Sequence, residues 1–231
     1  MSTNSEGGTA HSRKEATVLD VLPPTEWDWG SVLVTGPAMA GKQPLAVELL
    51  TTARQAGGQP LAVTTADTPA QLRDAYHDAG GDTTDNLAVV NCLPGSDGDS
   101  DDDWTRSVSS PSDFTGIAMA VSDVFGAVSP QRQRGVRVLV DNLAASLLYS
   151  DIEPTYRFLH ALLGRVTDGD GVVIATLDTD GVETTDYRAL EGLFDTVVEV
   201  RRADGATEFR VTGAPDVTDE WHRVPDGGVA A

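Results

Sequence analysis

The sequence predicts an α/β protein with a mostly parallel central sheet, flanked by helices and extended by a C-terminal antiparallel hairpin. From Ser31 onward, short apolar runs alternate with amphipathic stretches, which is the pattern of βαβ units. Near the end of the chain, two β-rich runs are separated by a short turn that contains Ala203-Asp204-Gly205, a spacing typical of a hairpin. With 231 residues and 40% hydrophobic residues, the chain is long enough to bury one large core.

Five short apolar runs are the predicted parallel strands. They occupy residues 31–35, 60–65, 87–93, 136–141 and 171–177. The fourth of these runs is apolar on both faces toward its C-terminal end, so we expect it near the centre of the sheet. The two hairpin strands are expected within residues 195–202 and 207–213.

The stretches between these runs carry helix signals. Helices are predicted at residues 44–56, 68–79, 113–128, around 159–166 and around 187–194. Thr68 followed by Pro69 is a typical N-cap and first helical position. The fourth helix places apolar side chains at i, i+3, i+4 and i+7, namely Leu159, Leu162, Leu163 and Val166.

The chain divides into three parts by composition. Polar residues 1–15 are expected to form a disordered leader, residues 16–214 a single domain, and residues 215–231 a C-terminal tail. Inside the domain, residues 94–112 contain Gly, Ser and a run of Asp. We predict a long, solvated acidic loop there, because the strand–helix pattern resumes after it with the same rhythm.

The charge balance is strongly acidic. Asp and Glu number 36 against 16 Lys and Arg, which gives a formal charge of −20, and lysine occurs only at Lys14 and Lys42. This composition favours a halophilic protein, since a Debye length of about 3 Å at molar salt screens the self-repulsion. The alternative is an acidic mesophilic protein with an interaction tail. No basic stripe of the kind that wraps nucleic acid is visible in the sequence.

The sequence also predicts a cytoplasmic location. The N-terminal residues lack the apolar core of a signal peptide, and no apolar run reaches the length of a membrane span. The single cysteine, Cys92, fits a reducing compartment.

A phosphate-binding motif follows the first predicted strand. Residues 36–43 read G-x-x-x-x-G-K-Q, in the strand–loop–helix context that this motif requires. In such a loop, the glycines let backbone N–H groups surround a phosphate, the helix N-terminus adds positive charge, and the lysine reaches the outer phosphates. The predicted binding residues are Gly36, Pro37, Ala38, Met39, Ala40, Gly41, Lys42 and Gln43.

The magnesium partners of this motif are altered. The residue after the lysine is normally Ser or Thr, whose hydroxyl binds Mg²⁺, but Gln43 stands there. Asp141 ends the fourth predicted strand, where a metal-binding aspartate belongs, so it is the candidate Mg²⁺ ligand. The alternative is that Asp141 only caps the strand end and Asn142 begins a turn. We expect Asp141 close to Lys42, with the Gly36 strand next to the Val136 strand or one strand away.

Several segments together resemble the RecA-superfamily ATPases of the KaiC-like branch. The segments are the 36–42 loop, PLAVTT followed by DTPAQL, VRVLVDNLAASL, and GVVIATLD followed by LFDTVVEVRR. The likeness covers residues 27–214 and is strongest to a haloarchaeal group in that branch. It implies a RecA-like P-loop core, ATP on the first loop with Mg²⁺ as its companion ion, and often a homo-oligomeric ring or filament.

Departures from the family pattern imply weak or no hydrolysis. Family members that hydrolyse ATP carry a Glu pair after the second strand, where this chain has Ala66 and Asp67. Their hairpin carries a basic pair where residues 211–215 read VTGAP. Losing a general base costs about 10²–10⁴ in rate. Asp67 is therefore the only candidate catalytic residue.

Three functions remain open at this point. The first is a nucleotide-binding regulatory or signalling protein that acts through unidentified protein partners. The second is a slow ATPase that drives a cytoplasmic assembly, with Asp67 replacing the lost Glu. The third is a DNA recombination or repair accessory, which the acidic charge opposes and a basic groove along Arg132, Arg134 and Arg137 would favour.

Overall fold

The computed structural model describes residues 14–23, 30–53, 55–82, 87–93 and 103–225. Most of the predicted leader, the Asp-rich part of the predicted acidic loop and the last six residues lie outside this range. Within the described residues, no helix is long and apolar enough to cross a bilayer.

A single sheet runs through the described part of the chain. Its strands are β1 (Ser31–Gly36), β2 (Pro60–Thr64), β3 (Ala88–Asn91), β4 (Thr105–Ser107), β5 (Arg137–Asp141), β6 (Val172–Asp178), β7 (Thr196–Ala203), β8 (Ala206–Thr212) and β9 (His222–Arg223). Their spatial order is β4-β3-β2-β5-β6-β1-β7-β8-β9. The strands from β4 to β7 in this order are parallel neighbours, whereas β8 and β9 pair antiparallel. The predicted α/β class, with its parallel sheet and C-terminal hairpin, is confirmed.

Helices cover both faces of the sheet. They are α1 (Val18–Val21), α2 (Lys42–Thr51), α3 (Pro69–Asp78), α4 (Phe114–Ala127), α5 (Pro130–Gln133), α6 (Leu143–Tyr149), α7 (Ile152–Thr167) and α8 (Thr184–Glu191). Buried side chains of α1, α2 and α3 form one apolar cluster with the sheet, and those of α4, α6, α7 and α8 form a second on the other face. Two apolar layers thus hold the sheet between them and leave its strand ends accessible.

The predicted elements are found with shifted ends. The N-cap at Thr68 is confirmed, because its side chain accepts a hydrogen bond from the Gln71 amide. Helix α2 begins at Lys42, two residues before the predicted start at Pro44. A proline is tolerated in the first turn because its missing N–H would have no intrahelical partner there, so Pro44 did not mark the boundary.

Two short strands were not anticipated. Strand β4 lies within the segment predicted as an acidic loop and pairs with β3, with Val89 opposite Thr105. Strand β9 lies within the predicted tail and pairs with β8, with Phe209 opposite His222. Both are edge strands of two or three residues, too short to produce an alternating hydrophobic pattern in the sequence.

The strand order brings the predicted site together. Strand β6 lies between β1 and β5, so the Gly36 strand and the Asp141 strand are one strand apart, as predicted. Because β1, β2, β5 and β6 are parallel, their C-terminal ends meet at one edge of the sheet. In open α/β sheets, ligands bind at this edge.

Candidate functional site

The loop between β1 and α2 has a backbone that depends on glycine. Gly36 has φ of 153° and Gly41 has φ of 99°, while Met39 adopts φ of 58°. A Cβ on Gly36 would lie 2.1 Å from the carbonyl oxygen of Val200, so only glycine fits between β1 and β7. The motif glycine thus allows the close approach that starts the loop.

The second motif glycine lies under the C-terminal hairpin. A Cβ on Gly41 would approach the Thr207 hydroxyl oxygen to 2.9 Å. That hydroxyl donates a hydrogen bond to the carbonyl oxygen of Ala40 at 3.3 Å. The hairpin therefore packs against the loop, a contact that the sequence analysis did not predict.

Lys42 is the first residue of α2 and is 6% exposed. Its Nζ donates to the carbonyl oxygen of Pro37 and lies 2.6 Å from Oδ1 of Asp178. The other oxygen of Asp178 accepts a 2.6 Å hydrogen bond from Nδ2 of Asn142. The lysine is thus held over the loop by a partner from β6 that the sequence analysis missed.

Gln43 joins two of the predicted site residues. Its Nε2 donates a hydrogen bond to Oδ2 of Asp67 and lies 3.4 Å from Oδ2 of Asp141. Asp67 is positioned by a turn after β2, in which its amide donates to the Thr64 hydroxyl at 3.1 Å. Ala66 is exposed and contributes no polar group.

Asp141 ends β5 and is 5% exposed. Burial raises the pKa of its carboxyl, and the neighbouring charges of Asp67 and Asp178 raise it further, while hydrogen bonds from Thr176 and Gln43 work in the opposite direction. The Thr176 hydroxyl donates directly to Oδ1. Asp141 therefore lines the site, and Asn142 is the N-cap of α6, since its side chain accepts a hydrogen bond from the Ala144 amide.

This arrangement does not fit a magnesium ion. Between the carboxylates of Asp67 and Asp141 lies the Gln43 amide nitrogen, a donor, where a metal site requires oxygen ligands. Within the described residues, no group of three or more His, Cys, Asp or Glu side chains is placed to hold a metal ion. The Gln43 amide takes the place that a cation would have between the two acids.

The same residues line an open cleft of about 470 Å³ at the sheet edge. Loop residues and the ends of β5 and β6 form its walls, and Ala66, Asn142 and Asp178 also line a second cleft of about 380 Å³. Asp178 could have been found from the sequence, because it directly follows the apolar run of β6, as Asp141 follows that of β5.

The structure does not form the basic groove that would favour DNA. Arg137 is 4% exposed inside β5, and burial lowers its pKa to about 10. Its guanidinium donates to the carbonyl oxygen of Gly135 at 2.9 Å, so it faces the protein interior. Arg132, Arg134 and Arg137 therefore do not line one exposed surface.

No curated protein matches the sequence. The model of a family of unknown function, DUF7504, matches residues 30–200. This range is well over half of the chain and runs from the residue before β1 into β7. It includes the whole loop together with Asp67, Asp141 and Asp178. The chain therefore belongs to the DUF7504 family of unknown function.

Proposed function

We propose that this protein is a RecA-like P-loop protein that binds ATP at Gly36–Gln43 and regulates protein partners, with weak or no hydrolysis. The observation that carries the proposal is the loop itself: two glycines in conformations or contacts that exclude a side chain, leading directly into Lys42 at the N-terminus of α2. Backbone amides of a first helical turn, the helix dipole and a lysine are the groups that bind phosphate in such loops.

Weak hydrolysis follows from the surroundings of the loop. Ala66 supplies no carboxylate to activate water, and the Asp67 carboxylate is engaged by Gln43. A missing general base costs about 10²–10⁴ in rate. Since the Gln43 amide also lies where a metal would stand, the proposed nucleotide site does not depend on Mg²⁺.

A regulatory role fits a site that binds without turnover. If the protein has two conformations, a nucleotide that binds one of them more tightly increases the population of that conformation. This shift needs no chemical step. The acidic composition fits a cytoplasm of high salt.

The proposal is tested by titrating labelled ATP against the parent protein and Lys42→Ala, with Mg²⁺ and with a chelator, at low salt and in molar KCl. Lys42→Ala should weaken binding by about 1.5–3 kcal/mol at low salt, the contribution of a hydrogen bond to a charged group. Molar KCl should reduce this difference by screening. Lys14→Ala, which removes the only other lysine, is the matched control and should bind as the parent does.

Two results would contradict the proposal. Equal ATP affinity for the parent and Lys42→Ala would show that the loop no longer binds phosphate. An absolute requirement for Mg²⁺ would contradict the metal-independent site and favour the slow ATPase instead.

A further inference from the structure

Two carboxylates of the chain already contact the groups that would bind phosphate. Oδ1 of Asp178 lies 2.6 Å from Nζ of Lys42. Two residues later, Oδ2 of Asp180 accepts a 2.8 Å hydrogen bond from the backbone amide of Ala38. An ammonium group and a loop amide are the donors on which the proposed function depends, and each of them is paired with an aspartate.

The backbone fixes the segment 178–180 against the loop. The amide of Thr179 donates to the carbonyl oxygen of Gly36 at 3.0 Å, which continues the pairing of β1 with β6 beyond the strand end. Asp178 is half-buried and held by Asn142, whereas Asp180 is exposed. Asp180 can therefore leave the loop without disturbing the core.

Carboxylate and phosphate oxygens compete for the same donors, since both are anionic acceptors of charge-assisted hydrogen bonds. We infer that Asp178 and Asp180 act as internal competitors of phosphate, so that a nucleotide binds only by displacing their carboxylates from Lys42 and the Ala38 amide. This inference rests on the proposed function and adds the residues that set the affinity of the site. Displacement also alters the second cleft, because Asp178 and Asp180 line its wall together with Leu148.

The experiment compares the parent, Asp180→Ala and Asp178→Asn for binding of ATP and of inorganic triphosphate in molar KCl. Asp180→Ala should bind both ligands about tenfold more tightly, as expected when a competing hydrogen bond to a charged group is removed. Asp178→Asn should act in the same direction because it frees the Lys42 ammonium. A tenfold gain seen with inorganic triphosphate as well as ATP would place the competition at the phosphates.

Asp186→Ala is the matched control. Asp186 lines the second cleft without contacting the loop, so its removal changes the charge nearby but frees no loop donor. In molar KCl its effect on affinity should stay within about twofold, because through-space charge is screened there. Melting temperatures confirm that each variant is folded.

The two failures are distinguishable. If the parent binds ATP in a Lys42-dependent manner and Asp180→Ala binds no more tightly than Asp186→Ala, the competition is refuted and the proposed function stands. If neither the parent nor Asp180→Ala shows binding that Lys42→Ala removes, the proposed function fails, and the competition with it.

Discussion

Gln43 donates a hydrogen bond from Nε2 to the carboxylate of Asp67, the acidic side chain in the turn after β2. Under the proposed function, the contact joins into one local unit the two positions at which this chain differs from ATPases that hydrolyse ATP. A threonine at position 43 could not reach across in the same way, so Asp67 would be released. The two sites are therefore expected to act together on hydrolysis.

We predict that Gln43→Thr combined with Ala66→Glu raises ATPase activity more than either change alone. The threonine restores a hydroxyl next to the lysine, and the glutamate restores a base at the exposed position after β2. Because metal placement and water activation act on one transition state, their effects should be non-additive. Phosphate release from ATP with Mg²⁺ measures this.

The control for this prediction adds Lys42→Ala to the double variant, which should abolish the gained activity. A folded double variant that is as inactive as the parent would contradict the prediction. Activity would then depend on a further missing group, such as the basic pair absent from residues 211–215.

Gly36→Ala should destabilise the fold. The new Cβ would lie 2.1 Å from the Val200 carbonyl oxygen at a φ that disfavours side chains, and overpacking of this kind costs about 3 kcal/mol. For a chain of this size that lowers the melting temperature by roughly 6–12 °C. Gly164→Ala is the matched control, since a Cβ there meets no described atom within 4 Å. Gly164 is exposed inside α7, so alanine at this position should raise the free energy of unfolding by about 0.5–1 kcal/mol.

Local signals in the sequence predicted what depends on local structure. The glycines and Lys42 of the loop, the Thr68 cap and the apolar strand runs were all recognised, because each is a property of adjacent residues. The contacts of Lys42 with Asp178 and of Gln43 with Asp67 were not, since they arise only once β1, β2 and β6 are placed side by side. Strand neighbours, and therefore partners across the site, are fixed by tertiary packing.

Asp141→Asn should stabilise the protein at neutral pH, and the gain should shrink in acid. Burial raises the pKa of Asp141 in the folded state above its ordinary value of 3.8. Above that raised pKa, the folded protein must hold a buried anion, which lowers its stability. As the pH falls through the raised pKa toward 3.8, the parent protonates and the difference from asparagine disappears.

Urea unfolding across this pH range, in molar KCl, measures the effect. Asp123→Asn is the control, because Asp123 is exposed on α4 and its replacement buries nothing. A gain for Asp141→Asn that stays constant with pH would show that the buried carboxyl is not the source of the difference.

His222→Leu should raise the stability of the fold. The imidazole of His222 is 7% exposed and lies against the Phe209 ring, and within the described residues neither of its nitrogens has a hydrogen-bond partner. Leaving buried polar atoms unsatisfied costs about 1–3 kcal/mol, so an apolar side chain should gain roughly 1–2 kcal/mol. The pairing of β9 with β8 is made by backbone atoms and survives the change.

His160→Leu is the control. His160 lies on the exposed face of α7, so its replacement should alter the free energy of unfolding by no more than about 0.5 kcal/mol. The urea midpoints of both variants measure these changes. A loss of stability in His222→Leu would contradict the prediction. It would mean that water satisfies the ring nitrogens in solution and that the histidine stabilises the packing of β9.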